Sequence, residues 1–131
     1  MKEKILYIED NDQNFYLVSF ILGAHGFEVI RARDGREGID TAIAADPRLI
    51  LLDIQLPVMD GYATARELRR VPDLAAKPIV ALTSYAMAGD REKALSAGCT
   101  GYIEKPINPK LFTQQIERFL SPEPPDRTGG G

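Results

Sequence analysis

Apolar residues along this chain cluster in two alternating ways. Short runs rich in branched side chains fall at residues 4–8, 28–32, 49–52, 78–82 and 101–103, each suited to a buried strand. Between them the apolar positions recur at spacings of three and four. Leu17, Ile21 and Ala24, with Val18 and Leu22, form one such stripe, and Ile39, Ala42 and Ile43 form a second. A third helix is predicted over residues 62–70 and a fourth over 90–97, the latter closed by Gly98, which tolerates a left-handed backbone. The fifth has the fullest signature: Asn108 to cap it, Pro109 at the first helical position, then Phe112, Ile116, Phe119 and Leu120 along one face. Five strand-and-helix units with nearly continuous apolar strands imply an α/β domain, a doubly wound parallel sheet with helices on both faces.

The pattern stops after Leu120. Residues 121–131, rich in Pro and Gly, offer no apolar surface to offset the entropy of ordering, so they read as a disordered polar tail behind one domain at residues 1–120. A chain of 131 residues suits a single core. Sixteen Lys and Arg against nineteen Asp and Glu leave a formal charge of −3, a field that repels a nucleic-acid backbone, so no direct nucleic-acid contact is expected. No apolar run approaches the ~20 residues of a membrane-spanning helix, so no membrane insertion is expected either. Cys99 has no partner for an internal disulfide, which points to packing and to a cytoplasmic home. His25, near the end of the first helix, has no surrounding motif that would make it a phosphoryl carrier.

In open parallel sheets, ligands bind beyond the carboxyl ends of the strands, where strand order reverses. Here those ends carry Glu9, Asp10 and Asn11; then Asp53; then Thr83 and Ser84; then Glu104, Lys105 and Pro106. Carboxylates gathered this way repel one another unless a cation enters or protons are taken up. With oxygen donors and no His or Cys cluster of zinc spacing, the expected ion is Mg²⁺, with Mn²⁺ as a substitute. A strand-end carboxylate can attack phosphorus to give an acyl phosphate, and Asp53 is best placed to do so. The Lys105 ammonium and the Thr83 hydroxyl would then stabilise the phosphoryl oxygens.

The ordered set of Glu9-Asp10, Asp53 within LLDIQLPVMDG at residues 51–61, Thr83, and Lys105-Pro106 resembles the receiver domains of two-component response regulators, from Lys4 to about Leu120. Its flavour is that of stand-alone single-domain receivers of the DivK type. The resemblance implies a flavodoxin-like (βα)5 fold with strand order 2-1-3-4-5 and phosphorylation of Asp53. It implies Mg²⁺ on Asp10, Asp53 and the backbone carbonyl of Gln55, with Glu9 acting through water. It also implies a switch made of Thr83 and Tyr102, and tuning of the acyl-phosphate lifetime by Gln55 and Tyr85. The implied partners are a sensor histidine kinase or histidine phosphotransfer protein and a downstream protein target. No enzyme with turnover is expected, beyond slow self-phosphorylation from small donors and autodephosphorylation. The Lys105–Pro106 bond is expected to be cis, because the lysine must turn back into the acidic pocket.

The opening Met and the polar tail suggest an independent protein, with a receiver module from a hybrid kinase or larger regulator as the alternative. Two unrelated functions fit less well. An aspartyl-nucleophile phosphatase of the haloacid dehalogenase type needs a second acid two residues beyond its nucleophile, and Gln55 stands there. A flavin carrier would set its cofactor phosphate against Glu9 and Asp10.

Overall fold

The computed structural model describes residues 2–84 and 89–120. Strand β1 (Glu3–Ile8) leads into helix α1 (Asp12–Gly23). The alternation continues through β2 (Phe27–Ala32), α2 (Gly35–Ala45), β3 (Leu49–Asp53), α3 (Gly61–Arg70), β4 (Ile79–Thr83), α4 (Asp90–Ser96), β5 (Gly101–Glu104) and α5 (Pro109–Leu120). All neighbouring strands pair in parallel, in the order β2-β1-β3-β4-β5, as the resemblance implies. Several strands run a residue past their last apolar position. Asp53 pairs with Leu82, and Thr83 with Glu104, because the ladder uses backbone groups whatever the side chain. A short 3₁₀ turn at Pro72–Leu74 was not expected from the pattern.

Alternation along each strand divides the interior in two. Leu6, Ile8, Ile50, Leu52, Ile79 and Ala81 pack with Ile39, Ala42, Ala65, Leu68 and Ala94 from α2, α3 and α4. Ile5, Tyr7, Leu49, Leu51, Val80 and Leu82 pack with Val18, Ile21 and Leu22 of α1 and Phe112 and Ile116 of α5. A one-residue slip of β3 would exchange these sets, and burial of each Leu or Ile stabilises by about 1.5–3 kcal/mol, so the register is firmly set. The helical stripes are narrower than the sequence spacing implies. Val18, Ile21 and Leu22 are buried in α1, whereas Leu17 is 44% exposed; in α2, Ile43 is 52% exposed.

The helix ends follow local chemistry. Asn11, Asp34 and Asp60 accept from the backbone N–H groups of Asn14, Glu37 and Ala63 at 2.8, 2.9 and 2.8 Å, capping α1, α2 and α3. Asn108 accepts from the Lys110 N–H at 3.0 Å in the first turn of α5. Gly98, at φ 109°, closes α4: its N–H donates to Leu95 and that of Cys99 donates to Ala94, which is a Schellman arrangement. At the edge where the strands begin, the Arg69 guanidinium donates to the carbonyls of Gly98 (2.7 Å), Leu74 (3.1 Å), Ala75 (3.3 Å) and Lys77 (2.6 Å) and to Thr100 Oγ1 (3.1 Å).

Candidate functional site

The carboxyl ends of β1, β3, β4 and β5 meet at the opposite edge. Asp53 closes β3 and is 6% exposed, and Glu9, just past β1, is 2% exposed. Lys105 follows β5 and sends its Nζ between them, 3.4 Å from Glu9 Oε1 and 3.4 Å from Asp53 Oδ1. The Lys105–Pro106 bond is cis, as expected. The backbone N–H of Gln55 donates to Asp53 Oδ1 at 3.3 Å. Gly61 matters here for its missing side chain: a Cβ would lie 2.7 Å from the Asp53 carbonyl oxygen and 2.5 Å from Ile54 Cα. The turn before α3 can therefore close against the end of β3, at Asp53.

Glu9 has more partners than a surface carboxylate. The Tyr7 hydroxyl donates to Oε1 at 2.8 Å, Asn14 Nδ2 to the same oxygen at 3.4 Å, and the Asn11 N–H to Oε2 at 3.0 Å. Burial first, and the Glu9 charge second, push the Tyr7 phenol far above its usual range, so it stays a donor. The Asp53 carboxyl responds to the same surroundings. Burial, then the charge of Glu9, push it from 3.8 up to about 6, against the opposing pull of Lys105 and the Gln55 N–H.

Two carboxylates, Glu9 and Asp53, face the single Lys105 ammonium, which leaves a formal excess of negative charge at the site. A cation of hard, oxygen-seeking type fits the donors present: the carboxylates of Glu9, Asp10 and Asp53 and the carbonyl of Gln55. Among the described residues no three acidic, His or Cys side chains are drawn into a ready-made cage. Asp10 is exposed. Such openness suits Mg²⁺, which keeps several waters and takes only one or two carboxylates.

Thr83 is buried at the end of β4. Tyr102 lies in register with Ala81, two residues before Thr83, and packs against the cluster beneath α2, α3 and α4; by alternation Thr83 belongs to the same face. Tyr85 lies outside the described residues. His25 sits away from these groups, its Nδ1 3.0 Å from the Ile21 carbonyl oxygen. An open cavity of about 440 Å³, lined by Tyr7, Asn14, Leu17, Lys105, Pro106 and others, adjoins the site.

Sequence reasoning missed Tyr7, Asn14 and Arg31, the last bonded to the backbone of Glu9 and Asp10. For Tyr7 a signal was present: residues two apart on a strand share a face, which puts its hydroxyl beside Glu9.

Residues 5–117 match the family described as the response regulator receiver domain. The polar-differentiation response regulator DivK of Brucella ovis is 38% identical over 120 residues, covering 92% of this chain and 98% of that protein. Among solved structures, the chemotaxis protein CheY4 of Vibrio cholerae superposes with a TM-score of 0.86 at 29% identity, over 91% of this chain and 99% of that one. The receiver domain of sensor histidine kinase PA1611 from Pseudomonas aeruginosa gives a TM-score of 0.85 at 34% identity, over 92% and 98%. It is described with a magnesium ion coordinated in its active site cleft.

Proposed function

The chain belongs to the response regulator receiver family of two-component signalling, and from that premise we propose that it accepts a phosphoryl group on Asp53 from a histidine kinase or histidine phosphotransfer protein. One observation carries the reading: a buried carboxylate, raised to about 6 by burial and Glu9, lies 3.4 Å from the Lys105 ammonium at the end of β3. Asp53 attacks the phosphorus of a phosphohistidine, the P–N bond breaks as the P–O bond forms, and the imidazole leaves. Lys105 is within reach of the phosphoryl oxygens, and Thr83 supplies a hydroxyl from the neighbouring strand. Asp10, Asp53 and the Gln55 carbonyl would hold Mg²⁺, with Glu9 acting through water, and the ion would supply neutralisation of the phosphoryl charge.

The exposed Tyr16, Leu17 and Phe20 of α1 offer the donor protein an apolar landing beside the cavity. Output follows from a surface formed by α4, β5 and α5, reshaped as Thr83 and Tyr102 rearrange, and read by a downstream protein. The protein is a cytoplasmic single-turnover acceptor, not an enzyme, with residues 1–120 as its working domain. Lifetime of the acyl phosphate is set by Gln55 and Tyr85, and Tyr85→Ala shortens it.

Intact-mass spectrometry after incubation with a small phosphodonor and Mg²⁺ tests the acceptor. The wild type gains one phosphoryl group and Asp53→Asn gains none. Undiminished labelling of the variant would refute the assignment.

A further inference from the structure

The loop joining β1 to α1 holds Glu9 and Asp10, and a side chain from β2 governs its shape. Arg31 stands in register with Tyr7 and reaches past the end of β1. Its Nε donates to the Glu9 carbonyl oxygen at 3.2 Å and its Nη2 to that of Asp10 at 3.1 Å. Its Nη1 pairs with Asp12 Oδ1 at 2.8 Å, in the first turn of α1. The guanidinium carbon lies 4.8 Å from the centre of the Phe15 ring, and the side chain is only 15% exposed.

We infer that Arg31 is a positioning residue for the divalent cation, fixing the backbone from which the acidic pair projects. The inference rests on the receiver reading above. An arginine suits the task because its planar fork aims donors in three directions at once, onto two successive carbonyls and one carboxylate. A lysine ammonium cannot span those three acceptors. The Phe15 ring and the low exposure hold the guanidinium where those donors are used.

Position and charge act here with opposite signs. A fixed positive charge beside a site that must take a divalent cation opposes binding, so removing it would on electrostatic grounds strengthen the site. Removing the clamp instead frees the loop and weakens the site, as loss of an outer partner does at other metal centres.

NMR titration of the isotope-labelled protein with magnesium chloride, following the amides of residues 9–12 and 53–55, separates the two. Arg31→Gln and Arg31→Lys are titrated beside the wild type, with thermal unfolding run on each to verify folding. Arg31→Gln is expected to weaken Mg²⁺ binding about tenfold although it removes a positive charge. Arg31→Lys restores the charge without the fork and is expected to remain weakened. Unchanged or tighter binding by folded Arg31→Gln overturns the inference, and so does wild-type affinity in Arg31→Lys. Should Arg31→Gln fail to fold, Arg31→Lys decides alone on the same terms. A wild type with no Mg²⁺-dependent shifts refutes the receiver reading itself, a different result from either.

Discussion

The Tyr7 hydroxyl donates to Glu9 Oε1 at 2.8 Å, in a place where Tyr7 is fully buried and Glu9 nearly so. A buried hydroxyl bonded to a carboxylate is among the stronger hydrogen bonds a fold contains. Tyr7→Phe keeps the ring and its packing and removes the donor alone. The expected loss is about 1–3 kcal/mol of unfolding free energy. Urea denaturation measures it, and an unchanged midpoint would mean that Asn14, Asn11 and Lys105 satisfy Glu9 without Tyr7.

The raised Asp53 carboxyl makes stability depend on pH in an unusual direction. Its folded value of about 6 exceeds the ordinary 3.8, so between these values the native state binds the extra proton. This group's contribution to stability therefore falls as pH rises from about 4 to about 6, and its penalty is complete above that. Asp53→Asn removes the charge. The variant should exceed the wild type by about 1–2 kcal/mol at pH 7, allowing for solvent screening, and by little near pH 3.5. Mg²⁺ should narrow the gap at pH 7. Denaturation curves at the two pH values test this, and an advantage independent of pH would contradict it.

The sheet was legible because each strand is a short apolar run between turn residues, and β3, buried at every position, could not be mistaken for an exposed segment. Asp53, Glu9, Thr83 and Lys105 were legible because strand ends are where such a sheet gathers chemistry. The supporting residues were harder. Tyr7 in an apolar strand reads as packing, and only its spacing from Glu9 hints otherwise. Arg31 and Arg69 bond mainly to backbone carbonyls, which leave no trace in a sequence. Leu17 and Ile43 were placed on buried stripes because spacings of three and four do not fix where the buried arc ends.

Val58 adopts φ 70° and is 86% exposed, in a tight turn where the Met59 N–H donates to the Pro57 carbonyl at 2.7 Å. A β-branched residue there is strained by about 1–3 kcal/mol. Glycine relieves the strain and costs about 0.5–1 kcal/mol in unfolded-state entropy. Val58→Gly should therefore stabilise by about 1 kcal/mol, read as a raised urea midpoint; a lowered midpoint would show that the turn is not strained.

Arg69 ties together segments at the edge away from Asp53. Arg69→Met keeps much of the stem and strands several carbonyls, at an expected cost of about 2–4 kcal/mol. Phosphorylation of the folded variant should proceed at the wild-type rate. A large rate loss at temperatures where the variant is fully folded would show that the two edges are coupled.

The short α4 runs seven residues and buries Ala94, whereas β3 is buried throughout and flanked by β1 and β4. Amide hydrogen exchange should therefore rank them far apart, with β3 opening only when the whole molecule does and α4 opening through local fluctuations of much lower free energy. The proposed acceptor is thus expected to sit in the last part of the protein to let go, and the proposed output helix in one of the first. On the proposed function, a phosphoryl group would not need to deform the scaffold that holds it; biasing the local opening expected of α4 would be enough.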